Sequence, residues 1–79
     1  MASANHALPR PALTRLQGKV LRRLGSFIRA HGYAPTYREL MACCGLVNVR
    51  AITWHLEALQ RKGYITREPM VSRSIKVVA

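Results

Sequence analysis

Between residues 16 and 28, apolar side chains recur at steps of four, four, three and one, which is the spacing of one helix face. The residues of this stripe are Leu16, Val20, Leu24, Phe27 and Ile28. Thr14 stands at the position of an N-cap, and Gly32 stands where a helix commonly ends. The pattern therefore predicts a first helix between these two residues.

A capping box marks the start of a second helix. Thr36 is followed three residues later by Glu39, so each side chain can accept a hydrogen bond from the other's backbone N–H. Pro35 disfavours helix before the cap, and we therefore expect the helix to begin at Tyr37 and to end at Gly45. The residues predicted to form its buried side are Leu40, Met41 and Cys44.

A third helix is predicted from its cap at Asn48 to Lys62, with Gly63 closing it. Its apolar stripe is Ile52, Leu56 and Leu59, flanked by Val49 and His55. We expect His55 to be a half-buried structural histidine.

After Gly63 the apolar period changes from helical to two, over residues 64–68 and 73–78, with a turn at 69–72 between them. This alternation predicts an antiparallel hairpin whose inward residues are Ile65, Ile75 and Val77. The fold class is therefore mainly α with a small β-hairpin, a three-helix winged helix-turn-helix over residues 14–79. Residues 1–13 contain Pro9 and Pro11 and lack regular apolar spacing, so we expect a flexible basic arm.

Charge narrows the function of this fold. The 79 residues include 13 Lys and Arg against 3 Asp and Glu, a formal net charge of +10. So few carboxylates argue against paired-carboxylate hydrolysis, two-metal catalysis and Ca²⁺ binding. The charge favours a polyanionic partner, with nucleic acid first and an anionic membrane surface second.

Other classes of protein fit the sequence poorly. No apolar run approaches a membrane span, and the N-terminus does not have the pattern of a secretory signal. The adjacent Cys43 and Cys44 lack the spacing of a zinc site, and no group of side chains suggests a nucleophilic enzyme. We expect a non-enzymatic cytoplasmic, nucleoid-associated protein without metal, cofactor, small-molecule substrate or membrane partner.

The third helix carries candidate base-reading residues opposite its apolar stripe. Helical geometry points Arg50, Thr53 and Trp54 away from Ile52 and Leu56. Arginine pairs with guanine, hydroxyls donate or accept, and apolar surface contacts the thymine methyl group. The candidate base-reading residues are Asn48, Arg50, Ala51, Thr53 and Trp54.

Candidate phosphate contacts lie on two other segments. The start of the second helix presents free N–H groups that favour an anion, beside Thr36, Tyr37 and Arg38. The hairpin adds Arg67, Arg73 and Lys76. Each of these residues also has a simpler interpretation, because a charged residue on a surface is often only solvated. Asn48 is first of all a helix cap, and Trp54 can pack incidentally on the hairpin or the arm.

The sequence is also compatible with two other functions. The same fold can dock on another regulator, with Trp54 as the buried anchor. It can also coat nucleic acid or anionic lipid by charge alone, which predicts equal affinity for scrambled duplexes. For a specific DNA reader, a homodimer on DNA or a protein partner is possible, and either would couple two half-sites.

The sequence contains an LT before the first helix, GYxPTxRE, a GL turn, HLxALxRKGYI and the hairpin. Through these motifs, residues 13–78 resemble the DNA-binding domain of LexA repressors. The resemblance implies that the turn and the start of the third helix read an operator. By position it implicates the five candidate base-reading residues.

This sequence departs from the usual LexA pattern. Arg50, Ile52 and Trp54 stand where small or acidic residues are common, so we expect a different DNA site. Leu16 and Gly18 replace polar residues that are frequent in the first helix. LexA repressors continue into a domain that dimerises and cleaves itself through a Ser–Lys pair. This sequence stops at Ala79, so we expect no self-cleavage from its residues.

Overall fold

The computed structural model describes residues 11–78, which form three helices followed by a two-stranded antiparallel hairpin. Ile65 pairs with Val77, and Thr66 pairs with Lys76. This architecture confirms the predicted winged helix-turn-helix. None of the described helices is long and apolar enough to cross a membrane. The elements are α1 (Arg15–His31), α2 (Tyr37–Cys44), α3 (Val49–Arg61), β1 (Ile65–Thr66) and β2 (Lys76–Val77).

Side-chain caps start all three helices at the predicted residues. The Thr36 N–H donates to Glu39 Oε1 at 2.9 Å, and the Glu39 N–H donates to Thr36 Oγ1 at 3.1 Å. Thr14 forms the same reciprocal pair with Gln17, a second capping box that the sequence analysis did not identify. The eight-residue α2 ends at Gly45, whose φ of 71° is left-handed and disfavours a side chain.

The three helices enclose one apolar core. Each helix packs on the other two, and β1 and β2 close the open side. The completely buried centre consists of Leu24, Leu40, Ile52, Leu56 and Leu59. Val20 from α1 and Ile65 and Ile75 from the hairpin belong to the same core. Most of the predicted apolar stripe is therefore confirmed.

Two predicted core positions, Leu16 and Val77, are wrong. Leu16 is 50% exposed, whereas the neighbouring Gln17 is only 3% exposed. The amide of Gln17 is held in place by the Thr14 cap and by a 2.6 Å hydrogen bond from Lys62 Nζ, so its burial is compensated. Val49, at the first position of α3, and Val77, at the end of β2, are also exposed. Residues at the ends of these elements extend past the core that their spacing indicated.

The hairpin, which we call the wing (residues 65–77), has shorter strands than predicted. Only two residues on each side pair, because the intervening chain leaves regular extended geometry. Met70 and Arg73 have φ values of 65° and 58°, in the left-handed region. The Ser74 hydroxyl bridges the two sides by accepting from the Glu68 N–H at 3.0 Å.

Of the predicted arm, residues 1–13, the first ten lie outside the described residues. Residues 11–13 pack on the domain. Pro11 accepts a hydrogen bond from the Tyr64 hydroxyl at 3.0 Å, and Ala12 accepts one from Lys62 Nζ at 2.9 Å. Leu13 packs against the core. In the structure, the folded unit therefore includes residues that the sequence analysis assigned to the arm.

We predict that Leu56→Ala lowers the free energy of unfolding by about 2–5 kcal/mol, because it leaves a cavity at the centre of the core. Urea titration followed by circular dichroism measures this change. The matched control is Leu16→Ala, which alters an exposed leucine and should stay within about 0.5 kcal/mol of the wild type. Equal losses in the two variants would contradict the packing described here.

Candidate nucleic-acid interface

The exposed side of α3 carries the residues predicted to read bases. Arg50, Trp54 and Glu57 are exposed, and Ala51 and Thr53 are half-buried at the edges of this face. Ile52 and Leu56 lie on the opposite side in the core. The helix therefore has one buried packing face and one exposed face, as its sequence predicted.

Asn48 caps α3 with one end of its amide. Its Oδ1 accepts the Arg50 N–H at 2.8 Å, while the residue as a whole is exposed. The Nδ2 group keeps its two donor hydrogens for another acceptor. The cap also orients Asn48 next to Arg50, so the two polar side chains lie together at the start of the helix.

Trp54 is 60% exposed, and its ring makes an edge contact with the His55 ring, with 5.4 Å between the centroids. His55 is buried, more completely than the half-buried position that the sequence predicted. Its Nδ1 has no hydrogen-bond partner among residues 11–78. A buried histidine thus supports one edge of an exposed tryptophan.

This surface also carries several exposed apolar residues that were not predicted to belong to it. Val47 is 96% exposed in the turn before α3, and Val49 is exposed beside it. Met70 and Val71 are exposed at the tip of the wing. The signal for the two valines was their place on either side of the Asn48 cap, where side chains flank the helix end instead of facing the core.

A groove of about 400 Å³ separates the wing tip from the starts of α2 and α3. We call it the α2–wing groove. It brings together Thr36, Tyr37 and Arg38, which the sequence analysis singled out, with residues of α3 and the wing. Its lining from those elements includes Val49, Met70, Val71 and Arg73.

Two arginines occupy positions near this groove that are unfavourable for helix stability. Arg38 is the second residue of α2, and Arg50 is the second residue of α3. A helix N-terminus carries partial positive charge, so a cation there costs about 0.3–1 kcal/mol unless an anion is near. The first turn of α3 contains no acidic residue. Both arginines are exposed, and together they create a positive surface suited to an anion.

Arg73 has intramolecular partners that the sequence did not reveal. Its two terminal nitrogens bind the Glu39 carboxylate at 2.8 and 3.1 Å, and Nη1 also donates to the Ala34 carbonyl at 3.0 Å. The guanidinium carbon lies 4.7 Å from the centre of the Tyr33 ring. Arg73 thus neutralises the one acidic residue in the first turn of α2 and ties the wing to that helix.

Arg67 is likewise held within the domain. Its side chain is 12% exposed, and Nη1 donates to the Tyr37 hydroxyl at 2.6 Å. Its Nε donates to Gln60 Oε1 at 2.9 Å, and Nη2 lies 3.9 Å from Glu57 Oε2. Lys76 differs from both arginines, because it is exposed and its amine makes no hydrogen bond or ion pair within residues 11–78.

The described residues contain no group of three His, Cys, Asp or Glu that could hold a metal ion. Cys43 is exposed and Cys44 is buried on α2. Burial raises the pKa of the Cys44 thiol above its ordinary value. The two thiols therefore differ in exposure, and neither lines the α2–wing groove.

The domain has a buried three-helix core, a short α2 followed by a turn, an exposed face on α3 and a wing. These features define a winged helix-turn-helix domain. Residues 10–74 match the family described as the LexA DNA binding domain. The chain therefore belongs to the LexA DNA-binding domain family, and the resemblance seen in its sequence motifs is confirmed. The matching family is one of DNA-binding domains and not of catalytic domains.

Similar proteins are bacterial LexA repressors. The chain is 43% identical over 63 residues to the LexA repressor of Anaeromyxobacter dehalogenans, which is 80% of this chain and 28% of that protein. It is 44% identical over 64 residues to the one from Sorangium cellulosum, with 81% and 28% covered. For Geobacter metallireducens the identity is 42% over 66 residues, with 84% and 33% covered. The chain thus spans about a third or less of the curated relatives it matches.

The Arg73–Glu39 pair predicts a pH-dependent contribution to stability. The hydrogen bonds from Arg73 and from the Thr36 N–H lower the pKa of Glu39 below its ordinary value of 4.5. The pair therefore stabilises the folded chain above about pH 4.5, and this contribution is lost as the pH falls below that value. Glu39→Gln keeps a side chain suited to the capping box but removes the charge.

We expect the wild type to melt at a higher temperature than Glu39→Gln near neutral pH, with the difference shrinking as the buffer is acidified below the ordinary glutamate pKa. Circular dichroism melts across this range measure it. Glu68→Gln is the matched control, because the Glu68 carboxylate makes no ion pair within residues 11–78. A difference between wild type and Glu39→Gln that stays constant with pH would show that the ion pair does not stabilise the fold.

Proposed function

We propose that this chain is a sequence-specific double-stranded DNA-binding regulator that acts as a repressor by occupying an operator. In this proposal the exposed face of α3 enters the major groove. The observation that carries the proposal is the convergence of two helix N-termini, each with an exposed arginine in its first turn, on one groove-bearing surface. An α-helix fits the major groove, and a polyanion offsets the charge that this arrangement concentrates.

The proposed contacts to bases come from the start and the outer face of α3. Arg50 has the donor geometry to pair with guanine, and the Nδ2 of Asn48 remains a donor while the residue caps the helix. Val47 and Val49 add apolar surface for thymine methyl groups beside that of Ala51 and Trp54. The proposed base-reading residues are Asn48, Arg50, Ala51, Thr53 and Trp54, with these two valines.

The proposed phosphate contacts are Thr36, Tyr37, Arg38 and Lys76. The first three stand at the positive end of α2, and Lys76 extends from β2 without an internal partner among residues 11–78. Arg67 and Arg73, the other candidates from the sequence, act in this proposal as supports of the surface, because their donors already bind groups of the domain. We place the protein in the bacterial cytoplasm at the nucleoid, with one chain on each half-site of its DNA.

Selection of bound duplexes from a randomised library, at near-physiological salt, tests the proposal directly. Trp54 is the only tryptophan of the chain and lies on the proposed reading face, so its fluorescence should change on binding an enriched site. An enriched inverted repeat would indicate two coupled chains, and a single half-site would indicate a monomer. The absence of any enriched sequence would contradict the proposal. If all duplexes then bind and salt abolishes the binding, the chain binds by charge alone. If no duplex binds, docking on a protein is favoured.

Arg50→Ala should weaken binding to the selected site by about 1–3 kcal/mol and relax discrimination at one base pair. The measurement is an equilibrium titration against the selected duplex and its single-base variants. Arg61→Ala is the control, because it removes the same charge from the opposite end of α3. A uniform loss on every duplex would mean that Arg50 contacts the backbone and not a base.

Lys76→Ala should weaken all duplexes about equally and make the salt dependence shallower by about one unit, because one fewer phosphate is neutralised. Each neutralised phosphate contributes about −0.9 to the log–log slope of affinity against salt concentration. Titrations at four or more salt concentrations give both slopes. If the slope is unchanged, Lys76 is not on a phosphate.

A further inference from the structure

The Tyr37 hydroxyl has an asymmetric environment. Tyr37 is the first residue of α2 and lines the α2–wing groove. Its oxygen accepts a short hydrogen bond of 2.6 Å from Arg67 Nη1. A phenol has one O–H hydrogen to donate, and the hydrogen of Tyr37 has no acceptor within residues 11–78. The contact with Arg67 therefore uses the acceptor side of the hydroxyl and leaves its donor side for a group from outside.

Arg67 itself is not placed to meet that outside group. It follows β1, and only 12% of its side chain is exposed. Gln60 and Glu57 on α3 approach its Nε and Nη2, while Tyr37 on α2 binds Nη1. One guanidinium thus joins the wing to both helices of the helix-turn-helix. To reach a phosphate directly it would have to give up its hydrogen bonds to Tyr37 and Gln60 and its approach to the Glu57 carboxylate.

The arginine also changes what the hydroxyl can bind. A cation donating to the phenol oxygen polarises the O–H bond, so the hydroxyl becomes a stronger donor. The same cation disfavours a second donor at that oxygen. The hydroxyl is thereby set to meet an acceptor that carries negative charge, and the positive end of α2 and the exposed Arg38 beside it favour the same kind of group.

We propose that Arg67 is a positioning residue that acts through Tyr37: it holds the Tyr37 hydroxyl as an oriented, polarised donor to one DNA phosphate in the α2–wing groove. This inference rests on the proposed DNA binding and adds a division of labour to it. Tyr37 makes the contact, and Arg67 contributes its charge from within the domain without touching the DNA.

A double-mutant cycle tests this division. Four proteins are compared on the duplex selected by the wild type: wild type, Tyr37→Phe, Arg67→Met and the double variant. Loss of one hydrogen bond to a charged acceptor predicts about tenfold weaker binding for Tyr37→Phe. Arg67→Met should cost a similar factor in the wild-type background but less than about twofold in the phenylalanine background, because the hydroxyl through which it acts is absent.

Two further variants separate the proposal from a general loss of structure or charge. Arg67→Lys keeps a cationic donor near Tyr37 and should recover part of the affinity that Arg67→Met loses. Arg61→Met removes an exposed arginine from the far end of α3 and should change affinity by less than about twofold. Circular dichroism melts of all variants show how much of each remains folded at the temperature of the titrations.

The salt dependence of binding shows whether Arg67 contacts a phosphate itself. If Arg67→Met weakens binding equally with and without the Tyr37 hydroxyl and makes the slope shallower by about one unit, Arg67 contacts a phosphate itself and the proposal is wrong. The proposal is also wrong if Tyr37→Phe binds the duplex as tightly as the wild type. It is likewise wrong if all the variants bind equally weakly because the wing is disordered. If the wild type selects no duplex, the proposed function fails together with this inference, whereas an additive cycle on a selected duplex refutes the inference alone.

Discussion

The Glu39 carboxylate is the group on which the arrangement of this surface depends. It accepts the Thr36 N–H that begins α2, and it binds both terminal nitrogens of Arg73. One side chain therefore sets where the first helix of the helix-turn-helix starts and where the wing lies against it. An eight-residue helix has little stability of its own, so its caps and its packing decide whether it forms. The position of α3 then follows from the short turn after Gly45.

The two wing arginines show how charge is distributed in so basic a domain. Glu39 on α2 pairs with Arg73, and Glu57 on α3 lies near Arg67. The two wing arginines therefore neutralise the acidic residues of these two helices. Other cations have no such partner among residues 11–78, including Arg38 and Arg50 at the starts of α2 and α3 and Lys76 on β2. The internal pairs join the wing to the two helices, whereas these three unpaired cations are exposed.

The sequence predicted features that depend on neighbouring residues. The caps at Thr14, Thr36 and Asn48, the glycine at the end of α2 and most of the apolar stripe are local patterns, and the structure confirms them. The bonds of Arg67 to Tyr37 and of Arg73 to Glu39 join residues 30 and 34 positions apart, which no local spacing encodes. The predicted burial of Leu16 and Val77 was wrong because periodicity assigns each residue to a face of its element. It does not show how far the neighbouring elements extend over that face.

Tyr64 touches both ends of the described chain. Its hydroxyl donates to the Pro11 carbonyl at 3.0 Å, and its own carbonyl accepts the Val78 N–H at 2.9 Å. It follows the C-terminus of α3, about 20 Å along the helix from Asn48 by the rise of 1.5 Å per residue. The two ends of the described chain, at Pro11 and Val78, therefore lie on the same side of the domain, remote from the start of α3. Labels attached at these two described positions would lie near each other and away from the exposed face at the start of α3.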